Sequence, residues 1–323
     1  MIKIDYKYFS NSERKSFIDS YFEIFNNPKK NRFKIINGHE TAKERFNKYR
    51  LKNYIFRYIF FKIKFDEIIK SDYEELNCIL NLIECKLKKL KKEHLKAVKH
   101  QIKKVFDYDK FQDVIRDFFE DNLNPRICYY CNKNYINVYD VDKGKKNEFT
   151  IDHFYDKGAY PYLALSLYNF VPSCYTCNSK LKKTKKLNCL SPASENFDFD
   201  EKVKFKLFFS KDSKNLNFQS KKDIDIPLKE NYSKNYPDKD KNKDYISVFK
   251  LNERYAEHRD IAFDLIEKSQ KYPESKLKEM AKILGISENE IKKDIFDLID
   301  EDSNLADKPF SKLIKDISKE LEL

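Results

Sequence analysis

The sequence predicts a mixed α+β protein that is predominantly α-helical, with a small metal-bound module between helical N-terminal and C-terminal regions. Glycine and proline are scarce, with 4 and 9 among 323 residues, which favours helices over tight turns. Apolar residues recur at three- and four-residue steps in both outer regions, as in amphipathic helices. Between them, paired cysteines and short β-branched stretches interrupt the helical pattern.

The first segment, residues 1–124, carries the clearest helical pattern. Residues 65–106 contain no glycine or proline and predict one long amphipathic helix with room for a single break. Cys78 and Cys85 are seven residues apart on that helix and are predicted to be buried in the core. A shorter helix ends before Asn124-Pro125, because the residue before proline disfavours helical geometry. We expect this segment to act as a scaffold or docking region.

Charge and hydropathy restrict the partners and the compartment. Lysine and arginine number 65 against 53 acidic residues, a net charge of +12, which favours a polyanionic partner. Charge scattered this evenly is also compatible with ordinary solubility. We expect no membrane span, because no run approaches about 18 apolar residues, and no secretory signal, because the N-terminus is charged. The sequence therefore predicts a cytoplasmic protein, in which paired cysteines are metal ligands rather than disulfides.

The strongest local signal is a pair of Cys-x-x-Cys motifs, Cys128-Tyr-Tyr-Cys131 and Cys174-Tyr-Thr-Cys177. Together they supply four thiolates, the complement of a tetrahedral zinc site. Such a Zn²⁺ is structural, because four protein ligands leave no open position for water. The alternatives are two unrelated buried cysteine pairs or a redox dithiol.

A second set of polar residues lies between and within these motifs. A short β-branched run ends in Asp152-His153, Asn169 follows, and Asn178 comes directly after Cys177. This order, framed by the two cysteine motifs, resembles the HNH or ββα-metal nuclease family, in the form whose last histidine is replaced by asparagine. The corresponding zinc-bound module spans residues 125–195.

The resemblance implies a role for each polar residue. His153 would be the general base that deprotonates water, and Asn169 would orient the His153 imidazole through its carbonyl oxygen. Asp152, which points away from His153 across the strand, and Asn178 would hold a catalytic Mg²⁺ or Mn²⁺. An isolated Asp-His dipeptide is common and carries little weight outside such a setting.

A lysine-rich run at residues 180–186 is predicted to continue the helix that carries Asn178. Lys180, Lys182 and Lys183 are the predicted contacts to a nucleic-acid backbone, without recognition of base sequence. The alternative is an ordinary solvated helix face.

The last segment, residues 196–323, begins with a predicted β-hairpin. Residues 202–209 and 216–220 are strand-like and flank a polar turn, and residues 229–245 predict a polar loop. From about Ser247 onward the pattern is helical.

Residues 276–298 resemble a helix-turn-helix. The second helix, however, carries Glu288, Glu290 and Asp294, an acidic face that is poorly suited to DNA. The sequence therefore predicts two packed helices joined by an ordinary turn.

Three further stretches, residues 160–169, 251–255 and 309–313, resemble bacterial HNH proteins of anti-phage loci. The nearest named group is the nuclease subunit of Septu-type systems, including those attached to retrons. This resemblance implies an antiviral effector that works beside an ATPase of the SMC or ABC type.

The leading hypothesis is thus a metal-dependent endonuclease that hydrolyses phosphodiester bonds of nucleic acid, with DNA favoured. One alternative is a zinc-stabilised module that binds nucleic acid or protein without cleavage. A third is a stand-alone restriction-type HNH nuclease, against which the absence of a convincing base-recognising element weighs.

Overall fold

The computed structural model describes residues 1–4, 11–26, 40–142, 144–210, 220–230, 241–299 and 304–323. These residues are mainly helical with short antiparallel strand pairs, so the predicted α+β class is confirmed. Buried apolar side chains of all three sequence segments join one core. Within the described part of the chain, no helix combines the length and apolar character needed to cross a membrane.

The N-terminal segment is a stack of helices. Their bounds are α1 Asn11–Asn26, α2 Ala42–Lys52, α3 Tyr54–Ile59, α4 Phe65–Lys70, α5 Tyr73–Leu87, α6 Lys92–Val105 and α7 Tyr108–Leu123. The predicted helix over residues 65–106 is therefore divided twice rather than once. At the first break, the Asp72 side chain accepts from the Glu75 backbone N–H at 2.8 Å, and the Glu75 carboxylate accepts in return from the backbone N–H of Asp72. This capping box starts a new helix.

The prediction that Cys78 and Cys85 are buried is wrong, because both side chains are exposed. The buried face of α5 is formed instead by larger residues, namely Tyr73, Leu76, Ile79, Leu80, Ile83 and Leu87. Burial of these bulky side chains removes more apolar surface from water, so they decide which face of the helix meets the core.

The central segment contains two strand pairs. Strand β1 (Val138–Val141) is antiparallel to β2 (Gly144–Asn147), and β3 (Thr150–His153) is antiparallel to β4 (Phe170–Ser173). A π-helical segment, Thr176–Lys182, follows β4. The prediction that this helix continues to residue 186 is wrong: Lys183 has a φ of 52°, and its N–H bonds the Asn178 carbonyl at 2.8 Å, closing the segment.

The C-terminal segment combines short strands with helices. Its elements are α8 Phe199–Lys202, β5 Val203–Phe205, β6 Phe208–Phe209, β7 Ile224–Asp225, β8 Leu228–Glu230, α9 Lys241–Val248, α10 Leu251–Ala256, α11 Arg259–Lys271, α12 Glu274–Leu284, α13 Glu288–Phe296 and α14 Ser311–Glu320. The first arm of the predicted hairpin pairs with residues 224–230, because β5 is antiparallel to β8 and β6 to β7. The second arm, apart from Ser220, and most of the predicted polar loop lie outside the described residues. The two helices predicted within residues 276–298 are α12 and α13, which contact each other.

A buried ion cluster connects α14 to the start of this segment. The Lys312 ammonium is fully buried and lies 2.9 Å from Asp200 Oδ1 and 3.0 Å from Asp316 Oδ2. The Asp316 carboxylate also accepts the backbone N–H of Phe205 at 2.9 Å. A second lysine, Lys315, lies 2.6 Å from Asp200 Oδ2. These contacts hold the C-terminal helix against β5.

We expect this cluster to make folding sensitive to acid. Burial alone would raise the pKa of Asp200. The positive charges of Lys312 and Lys315 lower it by more, so the net pKa lies well below 3.8. Because the folded pKa is depressed, the stabilisation is present above about pH 4 and is lost as the pH falls through the folded pKa. Urea unfolding measured from about pH 5 down to about pH 2.5 should show a falling midpoint. Asp200→Asn should cost about 1.5–3 kcal/mol at neutral pH and should flatten that dependence. An equally steep dependence in the variant would contradict the assignment.

Candidate metal centre and active-site cleft

The four cysteines of the two motifs lie together. Cys128, Cys131, Cys174 and Cys177 are buried, and their sulfur atoms all lie within 4.8 Å of one another. Zinc–sulfur bonds of about 2.3 Å in a tetrahedron place the sulfurs roughly 3.8 Å apart. The cluster could therefore hold a structural zinc ion.

Local backbone geometry brings the first pair of sulfurs together. Asn132, directly after the first motif, has a φ of 51°, a left-handed conformation that asparagine tolerates better than most residues. Its N–H bonds the Cys128 carbonyl at 2.8 Å. The chain thus folds back at the end of the motif, so that both thiols face the same side.

Residues far away in the sequence enclose the cluster. The Arg254 guanidinium donates to the Cys177 sulfur at 3.4 Å, and the Tyr255 hydroxyl donates to the Cys131 carbonyl at 2.7 Å. Burial lowers the pKa of Arg254, but the neighbouring thiols raise it more, so this cation offsets negative charge on the sulfurs. Sequence reasoning missed these roles, because no spacing rule connects position 254 with position 177.

The C-terminal helix meets the same turn. The Asn132 side-chain oxygen accepts the backbone N–H of Lys312 at 2.9 Å, and its backbone carbonyl accepts the N–H of Phe310 at 2.7 Å. The stretches 251–255 and 309–313, first noted for their resemblance, therefore both contact the cysteine module.

Three of the predicted active-site residues border one cleft of about 370 Å³. Asp152 and His153 reach it from β3, and Asn178 reaches it from the π-helical segment. The cleft also carries basic and polar side chains from other elements, including Arg116, Lys157, Lys183 and Gln112. Sequence reasoning missed Arg116 and Lys157, which lie outside the resemblance.

The imidazole of His153 is held in a defined orientation. Its Nε2 lies 3.0 Å from the Ala164 carbonyl oxygen, which can only accept, so Nε2 carries the proton and Nδ1 keeps its lone pair. The ring also packs edge-on against Tyr108, with centroids 4.5 Å apart. Burial lowers the pKa of His153 to about 3, so the ring is neutral at neutral pH with a free lone pair on Nδ1, and it is a weaker base than an exposed imidazole.

The predicted contact between the Asn169 amide and the His153 ring is not present, because the Ala164 carbonyl takes that place. Asn169 is fully buried and holds the intervening loop instead. Its Oδ1 accepts the Tyr155 N–H at 2.8 Å, and its Nδ2 donates to the Leu163 carbonyl at 3.0 Å. Asn169 thus positions the backbone beside Ala164, and its own carbonyl accepts the N–H of Phe154, the residue after His153, at 2.8 Å.

The carboxylate of Asp152 is buried and already partnered. Lys182 Nζ lies 2.9 Å from Asp152 Oδ2, and the Tyr130 hydroxyl donates to the same oxygen at 2.5 Å. Burial raises the pKa of Asp152, while Lys182 and Tyr130 act to lower it. Lys182 is fully buried and also donates to the His153 carbonyl at 2.7 Å. It therefore has no exposed ammonium to offer a phosphate, because the π-helical segment turns it inward.

Asn178 adds a second side-chain oxygen that could bind a cation in the cleft, beside the carboxylate of Asp152. Its Nδ2 donates to Thr150 Oγ1 at 3.0 Å, which leaves the amide oxygen as a possible ligand atom. A carboxylate and an amide oxygen are suitable ligands for a hard divalent cation. Of the other predicted phosphate contacts, Lys183 is exposed and borders the cleft. Lys180 is exposed and lies over the Tyr175 ring at 5.9 Å.

Comparison with known proteins does not assign the chain to a family. No family model, no curated protein and no solved structure matches it. The functional conclusion therefore depends on the geometry of the cysteine cluster and of the cleft beside it.

Proposed function

We propose that this protein is a metal-dependent endonuclease of the HNH type, which hydrolyses phosphodiester bonds of nucleic acid. The observation that carries the proposal is the meeting of Asp152, His153 and Asn178 at one cleft. The order of β3, β4 and the π-helical segment, with the second cysteine motif overlapping the start of that segment, matches what the resemblance implies and supports it.

In this proposal the four cysteines hold a structural zinc ion. A strand pair and a short helical segment are too small to bury a core of their own. Zinc bound between the two motifs would fix Asn178 against β3, where Asp152 and His153 lie. Arg254 offsets the negative charge that four thiolates bring to the site.

Asp152 and Asn178 would hold Mg²⁺ or Mn²⁺, which when bound neutralises negative charge that develops at the phosphate. The chain's own residues carry the proton transfer. His153 accepts a proton from the attacking water through Nδ1, while its Nε2–H stays bonded to the Ala164 carbonyl and holds the ring in place. Lys157 and Lys183 attract the phosphate backbone to the cleft.

We further propose that the nuclease acts on DNA in the cytoplasm, as the effector of an antiviral defence system with an ATPase partner of the SMC or ABC type. The sequence resemblance of residues 160–169, 251–255 and 309–313 supports this. The last two stretches contact the cysteine module.

A cleavage assay tests the proposed activity. The purified protein, alone and with any SMC- or ABC-type ATPase encoded by a neighbouring gene, is incubated with plasmid DNA, single-stranded DNA and RNA. Each substrate is tested with Mg²⁺, with Mn²⁺ and without a divalent cation. We expect cleavage that requires the added cation. Cutting of plasmid at one sequence by the protein alone would favour the stand-alone restriction-type nuclease instead.

One observation favours a second candidate, a zinc-stabilised binding module without catalysis. The ion pair between Asp152 and Lys182 neutralises the carboxylate that would hold the catalytic cation. Nucleic-acid binding with no cleavage under any of these conditions would support that candidate and would defeat the endonuclease.

A further inference from the structure

A second cleft, of about 420 Å³, lies in the N-terminal helical segment among α2, α6 and the start of α7. Its basic lining residues are Arg45, Lys48, Lys52, Lys104 and Lys110, against the single carboxylate of Glu40. Five cations around one cavity create a positive potential that is costly unless anions are near.

Part of this charge is neutralised within the chain. The Glu40 carboxylate lies 3.2 Å from Arg45 Nε and 3.1 Å from Lys48 Nζ, and Lys110 lies 3.2 Å from Asp107. Lys52 and Lys104 are exposed and have no acidic partner among the described residues. The cleft therefore keeps two ammonium groups available for an anion.

An unsatisfied acceptor lies in the same cleft. Gln101 is among the lining residues, and its Oε1 is buried without a hydrogen-bond partner in the described structure. Such a group costs about 1–3 kcal/mol, a cost that an N–H or O–H donor of a ligand would remove. A ligand that fits both features carries anionic groups together with hydrogen-bond donors, as a nucleotide does.

Exposed aromatic side chains occur in the stretch of chain that follows the lining residue Asn53. Tyr54 follows the lining residue Asn53 and is 66% exposed. Tyr58 and Phe61, also exposed, follow Tyr54 at four and seven residues. Residues 50–64 contain five basic residues and no acidic residue. Basic grooves beside exposed aromatics are the pattern by which proteins bind single strands, because bases stack on the rings.

Helix α7 connects this cleft to the proposed active site. Lys110 borders the basic cleft, while Tyr108, Gln112 and Arg116 of the same helix border the other one. Lys110 and Arg116 are six residues apart, which is about 9 Å along a helix. The two clefts therefore lie along one helix, on different faces of it.

We propose that the basic cleft binds the phosphate groups of nucleotides and serves as an accessory site for the nucleic-acid strand, with Lys52 and Lys104 as its principal contacts. The assignment of the strand as substrate rests on the proposed nuclease function. Phosphate binding by the cleft is independent of that function, since it depends on the charge of the cleft and on the unpaired Gln101 oxygen.

The test is a binding measurement in the His153→Ala background without added divalent cation, so that cleavage does not interfere. A fluorescent single-stranded oligonucleotide is titrated with the protein at several salt concentrations, and anisotropy is recorded. We expect Lys52→Gln/Lys104→Gln to weaken binding about tenfold at low salt. The plot of log affinity against log salt concentration should become shallower, its negative slope losing about 1.4 in magnitude, or about 0.7 for each lost phosphate contact. Lys276→Gln/Lys282→Gln on α12 removes the same charge from exposed positions and should leave both quantities almost unchanged.

A parallel titration with ATP identifies the source of the phosphate. Loss of ATP binding in Lys52→Gln/Lys104→Gln, with oligonucleotide binding intact, would keep the phosphate site and assign it to a free nucleotide. If neither ligand responds to this double substitution, or the α12 control weakens both equally, the site is overturned. Cleavage by the unmodified protein is scored separately, so failure of the nuclease proposal is distinguishable from failure of the basic cleft.

Discussion

Cys177→Ser is expected to release bound zinc and to unfold the central module, the largest loss of stability that a single substitution in this chain should cause. Apparent binding free energies of structural zinc are about 10–16 kcal/mol, as large as the whole stability of a typical domain. Because side chains of all three segments join one core, we expect the loss to spread beyond the module. Zinc content is measured by mass spectrometry of the purified protein, and stability by thermal unfolding.

Cys189→Ser is the matched control for this substitution. Cys189 is also buried but lies outside the cysteine cluster, so the same chemical change should leave the zinc content at about one ion per chain. A Cys177→Ser protein with full zinc content and an unchanged unfolding midpoint would contradict the metal centre. If both variants lose stability, and neither the variants nor the wild-type protein contains zinc, the four cysteines are ordinary core residues.

His153→Ala is expected to reduce the rate of divalent-dependent cleavage by about 10²–10⁴-fold, the usual contribution of a general base. The reason is that the substitution removes the Nδ1 acceptor while leaving Asp152 and Asn178 in place. Rates are measured under single-turnover conditions, so that product release does not mask the chemical step.

Two controls accompany this measurement. His258→Ala removes a half-buried imidazole outside the cleft and should leave the rate unchanged. Near-normal zinc content and circular dichroism of His153→Ala would show that the site has not unfolded. Cleavage by His153→Ala at the wild-type rate would eliminate His153 as the base, even if the protein proves to be a nuclease.

The cysteine cluster could be predicted because its information is local. In a Cys-x-x-Cys motif the spacing itself brings two sulfurs together, and the four thiols do converge within 4.8 Å. The placement of Asp152 and His153 beside Asn178 was implied by the family resemblance, and all three residues border one cleft. Helical class was predictable from periodicity, because amphipathic patterning records which face of each helix is buried.

Side-chain partners were not predictable, because they depend on packing between elements that are distant in sequence. Lys182 was expected at a phosphate and is buried against Asp152. Asn169 was expected on the imidazole and instead bonds the loop beside Ala164. Cys78 and Cys85 were expected in the core and face solvent. In each case the local sequence pattern was compatible with several orientations of the side chain. Burial or charge pairing in the folded chain selected one of them.

The sequence by itself predicted the cysteine cluster and the helical class, since both follow from spacing within short stretches of chain, and the resemblance pointed to Asp152, His153 and Asn178 at the cleft. Only the tertiary structure decided that Arg254 meets the thiols of residues 128–177 and that Ala164 orients His153. It alone assembled the basic cleft from α2, α6 and α7. Charges and hydrogen-bonding groups far apart in the chain become partners only when burial of the shared core brings their helices together.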